Sequence, residues 1–93
     1  MIRFENKTFS SGNLPGLKCY SELAMICVNN SSEGMDIAEI KERLDLMTLF
    51  ESDTIELNQK QIDKLKKLVE QTKWRIVDRV LVEFSDYVKS LKE

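Results

Sequence analysis

The chain has 93 residues, 42% of them hydrophobic and 32% charged, with three glycines, one proline and a formal net charge of −2. That is enough chain for one hydrophobic core and too little for a second, and the composition is neither disordered nor collagen-like. The acidic balance also argues against a protein whose main work is nonspecific contact with nucleic-acid phosphates.

The first residues, MIRFENKTF, place Ile2 and Phe4 at alternating positions ahead of a turn at Asn6 and Lys7, the pattern of an edge strand or a short hairpin. Charges stand where a secretory leader needs an apolar run, and no segment approaches the length of a membrane span, so a cytoplasmic protein with no membrane partner is expected. Ser10 to Gly16 concentrates turn residues around the single proline. From Leu17 to Val28 apolar side chains recur at helical spacing and spread round more than one side, which predicts a first helix with more than one buried face. Asn29 to Gly34 supplies a stop and a loop.

Ile37, Ile40, Leu44 and Met47 step by three, four and three residues behind acidic Asp36, which predicts a second helix from about Asp36 to Phe50. Ile55 and Leu57 mark a short strand near residues 54–57. Asn58 followed by Gln61 approximates a capping box and opens a third helix at about Gln59. Last, Trp74, Val77, Leu81, Phe84, Val88 and Leu91 step three and four in alternation, so KWRIVDRVLVEF is expected to lie in a fourth and longest helix with this seam facing the core. The fold class expected is α+β, a helix-dominant single domain spanning residues 1–93 with about four helices.

Chemistry-bearing motifs are scarce. There is no histidine and no CxxC pair, so the usual zinc ligands are missing. Cys19 and Cys27, if they share a helix, lie about 12 Å apart, beyond disulfide reach, and read as small apolar side chains, with a reactive thiol as the alternative. Carboxylates three apart, such as Glu39 and Glu42, are ordinary on exposed helices; there is no histidine to act as base, no serine or cysteine constellation, and no phosphate-cradling glycine loop. No enzyme activity, cofactor or metal is expected.

Charge is segregated. Glu33 to Glu56 holds eight acids against two bases, while Lys60 to Arg79 holds seven bases against three acids. Apolar residues are also in excess of what one core line on each helix consumes. Together these point to a protein partner, met by Glu39, Glu42, Asp45, Leu46, Leu49 and Phe50 on helix two and by Val82 on helix four. A homodimer is another use for the same surplus. Lys60, Lys64, Lys67, Arg75 and Arg79 are the residues a nucleic-acid contact would use, a reading the chain supports less well because aromatic platforms and docking motifs are lacking.

The N-terminal strand MIRFENKTF, the helix beginning KCYSELAMICVN and the entry IELNQKQIDKLKKLV resemble small bacteriophage-encoded accessory proteins of similar length. The resemblance implies a phage or prophage origin and, as a tendency of that class, a module that binds and modulates a host or phage macromolecule by occupying its surface, for example as an anti-defence inhibitor. A small nucleic-acid-binding or transcription-regulating protein using the basic 60–79 segment is the alternative. The resemblance assigns no catalytic residue.

Overall fold

In the computed structural model, which describes residues 1–31 and 33–93, the N-terminal strand β1 (Ile2–Phe4) finds its partner fifty residues away. It pairs antiparallel with β2 (Ile55–Leu57), Ile2 opposite Leu57 and Phe4 opposite Ile55. Phe4, Ile55 and Leu57 face the core, while Arg3 and Glu56 sit opposite one another on the outer face, an opposite-charge cross-strand placement. No local hairpin forms among the described residues. Instead the segment after β1 turns to cap the first helix, α1 (Tyr20–Asn29). Asn6 Oδ1 accepts from the Ser21 amide at 2.7 Å, the Lys7 carbonyl accepts from the Tyr20 amide at 2.9 Å, and the Glu22 carboxylate accepts from the Lys18 and Cys19 amides at 2.8 and 3.2 Å. Donors that a helix N-terminus leaves unpaired are thereby satisfied.

α1 is the spine of the fold. Leu23, Ala24, Cys27 and Val28 are fully buried, and the helix packs against both α2 (Ile37–Phe50) and α3 (Gln59–Gln71). Burial pushes the Cys27 thiol up from its ordinary pKa, so it behaves as a packing group. The expected loop from Asn29 to Gly34 includes Ser32, which lies outside the described residues. α3 is entered as expected: the Asn58 side chain accepts from the Gln61 amide, and the Gln61 side chain accepts from the Asn58 amide, both at 2.9 Å.

The last helix differs from expectation. α4 spans Arg79–Ser90, not Trp74 onward, and α2, not α4, is the longest helix among the described residues. Thr72 closes α3 by donating its amide to the Val69 carbonyl. Asp78 then starts a new helix, accepting from the Val80 amide at 2.8 Å and from the Ser11 hydroxyl of the proline loop. Between these caps lie β-branched Ile76 and Val77, which lose side-chain freedom in a helix. Trp74 and Val77 matched the seam by spacing alone: Trp74 is half-buried against the core from an irregular connection, and Val77 is 98% exposed. The remainder of the seam, Leu81, Phe84, Val88 and Leu91, is buried.

One cluster gathers Phe4, Leu14, the inner faces of all four helices and both strands into a single core. Its aromatic centre is built edge to face, with Phe4 at 5.1 Å from Phe50 and 5.3 Å from Tyr87, and Tyr20 at 5.2 Å from Phe84. The Cα radius of gyration, 12.8 Å, is that of one body this size. The fold is α+β and helix-dominant, with a single domain.

Candidate interaction surfaces on and beside helix α2

α2 carries two interleaved lines of residues. Ile37, Ile40, Leu44 and Met47 step three, four, three, while Glu39, Arg43, Leu46 and Phe50 step four, three, four. The second line, the less apolar one, faces inward: Arg43, Leu46 and Phe50 are 7%, 3% and 4% exposed. Leu46 and Phe50 were expected on a partner surface. They are core residues, because the C-terminal half of α2 packs over α1 and β2, with Phe50 set edge-on against Phe4. Leu49 is half-buried against the same core.

Burying Arg43 is made tolerable by what it binds. α1 has no base in its own last turn, so its C-terminal carbonyls carry the negative end of the helix dipole without compensation. Arg43 Nη1 donates to the carbonyls of Val28 at 3.2 Å and Asn30 at 2.6 Å, and Nε donates to the Glu39 carboxylate at 2.6 Å. Lys64 of α3 donates to the other Glu39 oxygen at 2.7 Å and lies 3.6 Å from Glu42. The hydrogen bond from Lys64, then that from Arg43, holds the Glu39 carboxyl below the usual glutamate range. Sequence reasoning missed Arg43. The available signal was its i,i+4 spacing to Glu39 within a line that ends in leucine and phenylalanine.

The charge segregation of the sequence therefore becomes apposition in space. A cleft of about 160 Å³ between α2 and the start of α3 is lined by Glu42 and Asp45 on one side and by Asn58, Lys60 and Lys64 on the other. Of the acids expected to meet a partner, Glu39 is bound by Arg43 and Lys64 and Glu42 leans on Lys64, leaving Asp45 exposed on the cleft wall with no ion pair among the described residues. Of the bases, Lys60, Lys64 and Lys67 share one flank of α3, but Lys64 is 14% exposed and occupied. Arg75 sits in the connection after α3, and Arg79 opens α4.

The apolar surplus lies elsewhere than expected. Ile37 is 78% exposed, Leu44 54% and Ile40 36%, and at about 100° per residue the three fall on one flank of α2. Met35, also 36% exposed, precedes them. Asp36 stands just before Ile37 at the helix N-cap, Glu51 is the C-cap seven residues beyond Leu44, and Lys41 is the one exposed base of the helix. Val82 is 61% exposed, as expected, on the outer side of α4. No family model, curated protein or solved structure matches the chain. Among the described residues no helix is long and apolar enough to cross a membrane.

Proposed function

We propose that the protein is a protein-binding module that acts by occupying the surface of another macromolecule, and that the ridge Ile37, Ile40 and Leu44 makes the contact. The observation that carries this is the exposure of Ile37, Ile40 and Leu44, three of the four residues of α2's more apolar line, while Met47 packs on the core and the line holding Glu39 and Arg43 is turned inward. A side chain of this size gains about 1.5–3 kcal/mol on full burial, and for Ile37 and Leu44 most or half of that gain is still available to a partner. Asp36 at the near end of the ridge and Glu51 further along the same helix favour a partner whose apolar stripe is flanked by lysine or arginine. A phage-type accessory protein, of which an anti-defence inhibitor is one example, would work in this way without any catalytic group.

The nucleic-acid alternative is weaker, since Lys64 is held by Glu39 and Glu42. The test is a side-by-side capture from bacterial lysate at low salt with the protein and its Ile37→Lys/Leu44→Lys variant, alongside sedimentation of each alone. A protein retained by the first and lost by the second is expected. Equal recovery overturns the ridge as the contact, and a self-dimer dissolved by the variant would assign the ridge to a second copy of the chain.

A further inference from the structure

Away from α2, the segment Lys7 to Phe9 and helix α4 border an open groove of about 550 Å³, within the size range of small-molecule sites. Its floor is aromatic. Tyr20 and Tyr87 lie 5.5 Å apart, tilted by 41°, and Phe9 lies 6.4 Å from Tyr20, tilted by 44°. One wall carries two carboxylates, Glu83 and Asp86, three residues apart on α4. Neither takes part in an ion pair among the described residues.

Two details show what chemistry this groove is set up for. Tyr20 is only 6% exposed, yet its hydroxyl, which has no hydrogen-bond partner within the protein among the described residues, is not sealed from solvent; burial first and the nearby Glu83 second push its pKa up. A phenol oxygen open to the groove can accept from an N–H donor bound there. The protein's own Lys7 ammonium stands 4.9 Å from the centroid of the Tyr87 ring. That ring is held in place because its hydroxyl accepts from the Glu5 amide at 2.6 Å. One aromatic face thus already carries a cation, and the two carboxylates, within a turn of Tyr87 on the same helix, are left for another.

We propose that this groove binds an organic cation, a primary amine or a guanidinium, either free or as the end of a lysine or arginine side chain. Ring faces attract a cation through their quadrupole, and two carboxylates on one helical turn add Coulomb attraction while repelling anions. Lys7 is an internal competitor for the same faces, so removing it frees the site. This site is independent of the α2 ridge.

The test is an NMR titration of the protein with butylguanidinium and with uncharged butylurea, then with Gly-Arg-Gly and Gly-citrulline-Gly peptides. Saturable shifts at Phe9, Tyr20, Glu83 and Tyr87 are expected for the cations and not for their neutral counterparts. Glu83→Gln/Asp86→Asn should weaken binding about tenfold, equivalent to about 1.4 kcal/mol, and Lys7→Ala should tighten it about threefold or more, with both spectra remaining those of a folded protein. Tighter binding of the arginine peptide than of butylguanidinium would point to a protein side chain as the source, and the reverse to a free amine. Equal shifts with butylurea, no saturation below about 20 mM, or an affinity unmoved by the carboxylate double substitution would overturn the proposal.

Discussion

Helices α4 and α2 carry the same kind of apolar line with opposite outcomes. In α4 and its C-cap the residues Leu81, Phe84, Val88 and Leu91 step three, four, three and all lie in the core. In α2 the residues Ile37, Ile40 and Leu44 keep the same rhythm and face outward. Periodicity identifies a helix in both cases but chooses the inner face only where no second line competes. In α4 the other apolar residues near the seam, Val80 and Tyr87, flank the same face and pack against the same core. α2 has a rival line, and it holds an arginine that finds three oxygen partners, among them the carbonyls of Val28 in α1 and of its C-cap Asn30.

The largest effect that sharpens this comparison is Phe84→Ala. Phe84 is 1% exposed and edge-packed on Tyr20, so truncation should cost about 3–5 kcal/mol, most of the stability of a domain this small. A urea melt should show a largely unfolded variant. If the loss were under about 1 kcal/mol, α4 would not be the buried partner in the comparison.

Next comes the arginine. Arg43→Met fills similar space but leaves the Val28 and Asn30 carbonyls without their donor and Glu39 with Lys64 alone. Breaking such a pair costs about 3–5 kcal/mol when fully buried; Glu39 is 27% exposed, so about 2–3 kcal/mol is expected here. Arg43→Lys should recover only part of this, because an ammonium cannot spread its donors over the same three oxygens as the planar fork. A methionine variant as stable as the parent would mean that hydropathy alone turns α2, and the comparison would fail at its cause.

What could be read from the sequence was what is decided locally. Asn58 and Gln61 announced α3, Ile55 and Leu57 announced β2, and the stretch after Arg79 announced its own buried face, because caps and periodicity act over one or two turns. What could not be read depends on distant neighbours. β1 pairs with a strand beyond two helices, so its partner has no local mark. Trp74 and Val77 continued the α4 rhythm through a connection that Thr72 and Asp78 close off by capping. Leu46 and Phe50 looked surplus beside the more apolar outer line, and only the carbonyl ends of α1 explain why the line with Arg43 is inside. The aromatic groove draws on Lys7, Phe9, Tyr20 and α4, residues that no spacing rule connects.

A smaller effect follows acidity. The folded-state pKa of Glu39 lies below its unfolded value, through Lys64 first and Arg43 second. Its contribution is therefore fully present above the ordinary glutamate range and is lost as pH falls through that range toward the folded value. At neutral pH Glu39→Gln should cost about 1 kcal/mol, and the gap between variant and parent in urea midpoint should close on acidification. Part of the acid sensitivity will survive the substitution, because the amides of Lys18 and Cys19 and the Cys19 thiol hold Glu22 low in the same way. A gap that stays constant from neutral to strongly acidic pH would show that the Glu39 charge does not help to set α2 in place.

The smallest effects test the outer faces. Leu44 is about half exposed, so Leu44→Ala gives up only part of one side chain's burial and should cost about 0.5–1 kcal/mol. Val82 lies two residues before Phe84, about 160° round α4 from it, and is 61% exposed. Val82→Ala loses little contact, and it replaces a β-branched residue by the best helix former, a gain of roughly half a kcal/mol in an exposed helix. The two contributions nearly cancel, and the variant should melt within about 0.5 kcal/mol of the parent, with the sign leaning toward greater stability. A cost above about 1 kcal/mol at Val82, especially one that grows with protein concentration, would mean that the outer side of α4 is covered by a second copy in solution. α4 would then bury both of its faces, and only α2, with Ile37 and Leu44 still outward, would keep an uncovered apolar line.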